Sequence, residues 1–483
     1  MSLRDGDSYR RSLQRLRPNV HKWGRPIEDV TVHPATRLHV QSVAASFDAA
    51  FDPERAPLFT ATSHLTGDRA HRWNTLMRSA DDVLGNARMK RAQFSWTGTC
   101  QGATCAGWTA LNALWAVSHE SDARLGTDYH ARLRDYFRFV EDTAPALAGA
   151  LTDAKGDRSL RASRQPDPDT YLHVVEERDD GIVVRGVKAQ ICAVAASNEI
   201  VVVPGTAHGE TERRNAVAFA VPRDVAGLTI VETRRPSDTR DEEEGWDAPK
   251  AGGITQAWLL FDDVFVPRDR VFLCGEHAST GRFISIFSAI YRAAIGACVA
   301  GQGDVMIGGA IALARANGLS QKVFQDRLTQ MKVNNETTFG LGVGAIALGQ
   351  AHPSGLFVPD PLLAHVNKVL VARLPYETKV LAQDISGGIA ETGCLPSFAD
   401  LGSPVYGEKL LAAAAGAVDG ETRARLARLV EWLTIGGGVP GCMHGGGSPD
   451  GARLAIRGLV DWERSVGDAR RIAGVSRELP DPR

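Results

Sequence analysis

Two cysteines five positions apart, Cys100 and Cys105, sit in the stretch GTCQGATCAGWTALNAL (98–114), at the mouth of what reads as a buried helix. Thiolates are good iron–sulfur ligands, so the pair reads as half of a metal site. It reads equally as two small buried hydrophobes, the common state of free cysteine. Other residue types suggest other chemistry. Arg91 carries a permanently charged fork that grips a carboxylate, a phosphate or a phenolate, or else pairs at the surface. His444, before three glycines in MHGGGSP (443–449), suits proton transfer near neutral pH, or a structural role in a tight loop. Gly387 and Gly388 in AQDISGG (382–388) let a backbone approach a pyrophosphate closely, or mark a turn.

These residues need a scaffold, and the chain has ample material for one. Its 483 residues are 43% hydrophobic and 23% charged, with a formal charge of −2, an ordinary globular composition. Near-neutral charge argues against nucleic acid as a partner. The start, MSLRDGDSYRRSLQRL, has no apolar core of a secretory signal. No apolar run approaches a membrane span, so no membrane partner is expected. Seven scattered cysteines do not form a disulfide framework, which predicts a cytoplasmic protein with reduced thiols.

Residues 8–145 read as mostly helical; Trp108, Leu111, Leu114 and Trp115 recur at steps of three and four. Near residue 150 the period changes. YLHVVEERDDGIVVRG (171–186) reads as a hairpin around Asp-Asp-Gly, followed by short β-branched runs through AWLLFDDVFVP. The segment 234–253 reads as a polar surface loop. From about residue 277 long helical patterns return. The expected class is α+β, with a β layer between two helical blocks: an N-terminal helical domain (1–147), a central β domain (148–276) and a C-terminal bundle (277–483).

Several strings narrow this further. TDAKGDRS (152–159), QPDPDTYLHVVEERDDGIVVRGVKA (165–189), FDDVFVPRDRVFLCGE (261–276), GDVMIGGAI (303–311), AQDISGG and MHGGGSP occur in order. Together they resemble the flavoprotein family shared by 4-hydroxybutyryl-CoA dehydratase and the oxygenase component of 4-hydroxyphenylacetate 3-hydroxylase, with TDAKGDRS closer to the dehydratase branch. The resemblance implies an acyl-CoA dehydrogenase-like fold, a homotetramer or homodimer, and FAD between the β domain and neighbouring bundles. It implies that Thr152, Asp153, Lys155, Lys188, Cys192, Gln383, Gly387 and Gly388 lie near FAD.

The dehydratase branch also holds a four-iron, four-sulfur cluster on three cysteines and a histidine. By resemblance the matching positions here are Cys100, Cys105, Tyr291 and Cys298, with one residue inserted between the first two. Tyr291 and Cys298 are two helical turns apart, roughly 10 Å of rise, a span that suits a cluster better than a zinc ion. A phenol replaces the imidazole, and a phenol ionises only near pH 10. Gln256, Ile295, Val299 and Gly441 stand where the resemblance places a glutamate, a tyrosine, a lysine and a second glutamate. An amide, two aliphatics and a hydrogen carry out no acid–base work. Cys192 replaces a threonine that hydrogen-bonds toward flavin N5. Trp96, Trp108, Tyr291, Ile295 and Met443 are candidate pocket walls, with Tyr291, Arg91, His444 and Gln256 as candidate catalytic residues.

The reading that follows is an FAD-dependent monooxygenase using reduced flavin and dioxygen on a small aromatic or acyl substrate. No GxGxxG follows a strand, so a separate flavin reductase would supply the reduced cofactor. The alternatives are a redox-neutral dehydratase or isomerase with a modified cluster, and a scaffold that has lost its cofactor.

Overall fold

The computed structural model describes residues 3–99, 102–234, 255–435 and 445–480. Cys100, Gly441, Met443, His444 and the segment expected as a polar loop (234–253, apart from Arg234) lie outside the described residues.

The first block is helical. Helices α1 (Gly6–Gln14) and α2 (Arg37–Asp48) precede the long pair α3 (Ala80–Thr97) and α4 (Gly102–Leu125), then α5 (Tyr129–Thr143). A capping box starts α3: the Ser79 hydroxyl accepts from the Asp82 amide, and the Asp82 carboxylate accepts from the Ser79 amide. Gly98 ends it in the left-handed region, φ +68°. In α4, Trp108, Leu111, Leu114 and Trp115 are all buried, as their period predicts.

Ten strands of the β layer carry the site: β1 (Val20–Lys22), β2 (Arg25–Ile27), β3 (Leu147–Ala150), β4 (His173–Arg178), β5 (Gly181–Cys192), β6 (Glu199–Val202), β7 (Val217–Pro222), β8 (Leu228–Glu232), β9 (Gln256–Pro267) and β10 (Val271–Cys274). They form two sheets, ordered β2-β1-β8-β9-β5-β4 and β10-β7-β6-β3. The β4–β5 hairpin turns at the expected Asp-Asp-Gly. Strands β1 and β2 come from the first block, Val20 pairing in parallel with Ile230, so the larger sheet is stitched to the N-terminal helices.

The C-terminal block begins with α6 (His277–Ala316), 40 residues long. Around it lie α7 (Gln325–Ala347), α8 (Pro361–Val371), α9 (Leu374–Ser386) and α10 (Gly420–Thr434), followed by α11 (Pro449–Leu459) and α12 (Trp462–Ile472). Contrary to the expectation that no run approaches a membrane span, α6 is long and apolar enough to cross one. In its most apolar window 67% of residues are buried inside the protein, so its apolarity is used in packing. Two of its glycines permit unusually close crossings. A Cβ on Gly301 would lie 2.4 Å from the Arg91 carbonyl oxygen of α3, and one on Gly296 would lie 2.1 Å from the Thr338 oxygen of α7. The three helices are therefore locked backbone to backbone.

Candidate functional site

The site begins where β5 ends. Cys192, its last residue, pairs in register with Gln256, the first residue of β9, and the Gln256 amide donates to the Cys192 sulfur at 3.6 Å. Burial pushes the thiol up to about 11, against the weaker effect of the donated amide; Cys105, Cys298 and Glu232 push it further up. These groups come from α4, α6 and β8, and the amide from β9, so four elements converge on the thiol that β5 carries. It stays protonated at neutral pH. The backbone around it is strained: Gln190 and Ala193 have φ of +57° and +59°, a conformation costly for residues with a Cβ. The Ala193 amide, donating to the Thr255 carbonyl at 2.8 Å, helps to hold that shape.

Tyr291, Ile295 and Cys298 lie on one face of α6, at helical steps of four and three. The Tyr291 ring stacks on Phe287 with centroids 5.4 Å apart. Ile295 and Val299 pack with Tyr291, Val371 and Tyr376, an apolar patch. Gly446 covers the ring from outside, since a Cβ there would come within 2.9 Å of it. This turn is clamped: Lys368 Nζ donates to the Gly445 carbonyl (2.6 Å) and Arg292 Nε to that of Gly446 (3.0 Å). Arg292 also meets His365 Nδ1 at 2.8 Å, and burial, helped by that guanidinium, pulls the imidazole down to about 4.

A residue missed by sequence reasoning completes this face. Lys90 is only 5% exposed, and its ammonium stands over the Tyr291 ring, 5.5 Å from the centroid. The buried series Val83, Ala87, Lys90, Phe94, Thr97 puts it in the middle of the inward stripe of α3. That period was the signal that could have found it. Glu232 was missed too. It continues the alternation Leu228, Ile230, Glu232 that faces inward on β8.

Arg91, the sequence candidate for gripping an anion, is turned away. One step round α3 from Lys90, it is bound by two carboxylates: Nε to Asp304 at 2.7 Å and NH2 to Glu336 at 2.6 Å. Lys332 joins both acids. The guanidinium is spent in this cluster, because four of its donor contacts are already made. Two candidate walls are corrected likewise. Trp108 is in the N-terminal core, its indole donating to the Thr75 carbonyl, and Trp96 lies under Arg55 beside Phe59.

The residues that the resemblance put near a flavin fall into two groups. Asp153 and Lys188 form a buried ion pair of 2.7 Å, and Lys188 Nζ also donates to the Leu151 and Val203 carbonyls. Thr152 lies beside them, its carbonyl accepting from the Ala189 amide, and Lys155 is exposed with φ +73°. The second group ends α9. Gly387 has φ +76°, its amide donates to the Gln383 carbonyl, and a Cβ on either Gly387 or Gly388 would meet only open space. The neighbouring Ser386 hydroxyl is buried without a hydrogen-bond partner. Among the described residues no group of three or more His, Cys, Asp or Glu side chains is placed to hold a metal ion.

The family described as "4-hydroxyphenylacetate 3-hydroxylase" matches in both parts, the N-terminal one over residues 5–273 and the C-terminal one over 280–474. The chain belongs to the 4-hydroxyphenylacetate 3-hydroxylase family. It is similar to 4-hydroxybutyryl-CoA dehydratase/vinylacetyl-CoA-Δ-isomerase of Clostridium aminobutyricum, 36% identical over 98% of this chain and 100% of that protein. Its structure resembles the oxygen-tolerant archaeal 4-hydroxybutyryl-CoA dehydratase of N. maritimus (TM-score 0.94, 34% identity, 100% and 97% covered). It shares its fold with a 4-hydroxyphenylacetate 3-monooxygenase oxygenase component solved with FAD and 4-hydroxyphenylacetate (TM-score 0.85, 22% identity, 98% and 99% covered). The wider fold is acyl-CoA dehydrogenase-like, as in butyryl-CoA dehydrogenase of Megasphaera elsdenii (TM-score 0.50, 14% identity, 95% and 99% covered). Both branches of the family are therefore represented among its relatives.

Proposed function

We propose that this family member is the oxygenase component of a two-component, FAD-dependent monooxygenase acting on a small aromatic or acyl substrate. The observation that carries the reading is the neutral pair Cys192–Gln256 at the convergence of the β layer and α6. An amide and a protonated thiol orient and donate; they do not take up a proton from an unactivated carbon. Ile295, Val299 and the stacked Tyr291 extend the same inert surface.

The residues present suit a flavin. The open backbone at Gly387 and Gly388 and the unpartnered Ser386 hydroxyl offer donors to a diphosphate. The Cys192 S–H would be a weak donor to the ring. When bound, FAD supplies the oxygen chemistry, while the protein supplies orientation and a dry enclosure. The family resemblance supports a homotetramer or homodimer in which neighbouring chains share each flavin. Reduced FAD would come from a separate reductase.

The test mixes the pure protein, a flavin reductase, NADH and FAD in air with a panel of phenolic acids, and follows oxygenated product by mass spectrometry. Substrate-dependent incorporation of oxygen from labelled dioxygen is expected; its absence across the panel refutes the reading. A second reading, redox-neutral dehydration of a hydroxyacyl thioester, is favoured by the 36% identity to the clostridial dehydratase along its full length. It requires about four irons per chain after anaerobic purification and conversion of 4-hydroxybutyryl-CoA without oxygen.

A further inference from the structure

We infer that the cavity between α1 and the end of α5 is a binding site for a phosphate ester, separate from the flavin site. This goes beyond the oxygenase reading and does not rest on it. The cavity measures about 580 Å³, within the roughly 300–1,000 Å³ of small-molecule sites. None of the residues placed near FAD by resemblance lines it, nor does Gln256.

One wall is a single stripe. Arg4, Ser8, Arg11 and Arg15 follow at steps of four, three and four, so they share the face of α1 and its approach that lines the cavity. The arginines of this segment divide by direction. Arg10 and Arg17 do not line the cavity and are partnered: Arg10 with Asp7, and Arg17 with the Asp224 and Val225 carbonyls at 3.2 and 2.9 Å. Arg11 and Arg15 do line it, and among the described residues neither side chain makes an ion pair or a hydrogen bond. Arg4 is fixed beside them by neutral partners, donating to the Ala144 and Ser8 carbonyls (both 3.2 Å) and to Asn198 Oδ1 (3.3 Å). Burial pulls its guanidinium below the ordinary arginine range; Tyr9 and Asp5 oppose this, and the nearby Arg15 adds to it. The lining acids do not neutralise the stripe. Asp5 caps α1 by accepting from the Ser8 amide at 2.7 Å, and Glu199 is held by Arg270 (2.6 Å) and Tyr136 (3.1 Å). Asp142 stands on the opposite wall, on α5, and makes no ion pair with any of the three arginines.

The two walls identify the ligand. A phosphate ester carries nearly two charges and three acceptor oxygens at neutral pH, enough to reach several guanidiniums, whose planar forks match it in geometry. A carboxylate has one charge and two oxygens, too few for this wall. The far wall reverses the chemistry: the Asp142 carboxylate repels a second anion and accepts from hydroxyls. The ligand therefore turns its phosphate toward α1 and its hydroxyl groups toward α5, as a sugar phosphate does.

The experiment titrates the FAD-saturated protein with ribose 5-phosphate, inorganic phosphate and ribose, by isothermal calorimetry. Ribose 5-phosphate should bind saturably, at least about threefold more tightly than phosphate, the effect of one or two hydrogen bonds; ribose should show no binding. Arg11→Gln and Arg15→Gln should each weaken the ester about 10- to 100-fold, the range of a charged hydrogen bond. Both side chains are exposed, so these changes spare the fold. Arg10→Gln removes the same charge from the same helix outside the cavity, and should weaken binding less than about twofold in screening salt. A second measurement needs no variant: ribose 5-phosphate should protect Arg11 and Arg15, and not Arg10, from phenylglyoxal, read by peptide mapping. Absence of saturable binding overturns the inference. So does release of FAD during the titration, phosphate binding as tightly as its ester, an equal loss in Arg10→Gln, or failure to protect Arg11 and Arg15.

Discussion

Two buried lysines serve opposite ends in this protein. Lys188 lies 3% exposed between β3, β5 and the strand that follows, with Asp153 at 2.7 Å and the carbonyls of Leu151 and Val203 within 3.0 Å. Lys90 lies 5% exposed between α3 and α6 with a phenol ring beneath it. One charge is paired inside the folded chain, and the other rests against a ring face. Burial of a charge therefore says little about its purpose until its partners are counted.

Replacing each lysine should expose the contrast, and the largest effect belongs to the satisfied one. Lys188→Met leaves Asp153 buried and unpaired, which should cost about 3–5 kcal/mol, seen as a lower unfolding midpoint in urea. Adding Asp153→Leu should recover much of that loss; no recovery would mean that the carbonyl contacts, and not the pair, hold the site. Lys90→Met, by contrast, should leave the midpoint unchanged or raise it slightly.

Acid should act next. Burial holds His71 at about 3 and His365 at about 4, below the ordinary 6.5. A histidine depressed in the folded state contributes stability present above its unfolded pKa and lost as pH falls toward the folded one. Between about pH 6.5 and 4 each should subtract up to about 1.4 kcal/mol per unit, measured as a falling thermal midpoint. A midpoint flat across that window would show that both imidazoles reach water.

Smaller effects concern the partly exposed groups. Arg91→Gln should cost no more than about 1 kcal/mol, because its acids are partly in solvent, seen as a small drop in the urea midpoint. Finally, a thiol reagent at pH 8 should modify the exposed Cys394 well before Cys192, whose thiol lies near 11. Peptide mapping by mass spectrometry would reveal the order.

Much of the scaffold was legible from periodicity. The buried positions of α4 and the turn of the β4–β5 hairpin follow from steps of three and four and from Asp-Asp-Gly. The attachment of β1 and β2 to the larger sheet was not legible, because strands of three residues carry no measurable alternation. At the site, residue type directed attention to Arg91, while the helical stripe that would have selected Lys90 was not followed through a charged residue. Val83, Ala87, Phe94 and Thr97 define that stripe, and the lysine fills the gap between them. Glu232 was hidden for the same reason, as the polar member of an inward-facing alternation. Convergence of Cys105, Cys192 and Cys298 depends on how three separate elements pack, which no spacing within one segment encodes.

The absent side chain at Gly301 has a further consequence. Because α6 touches the Arg91 carbonyl there, α3 cannot slide along its neighbour, and the ammonium one residue earlier occupies a fixed height above the tyrosine. A bulkier residue at that position would have to push the two helices apart and carry the lysine away from the ring.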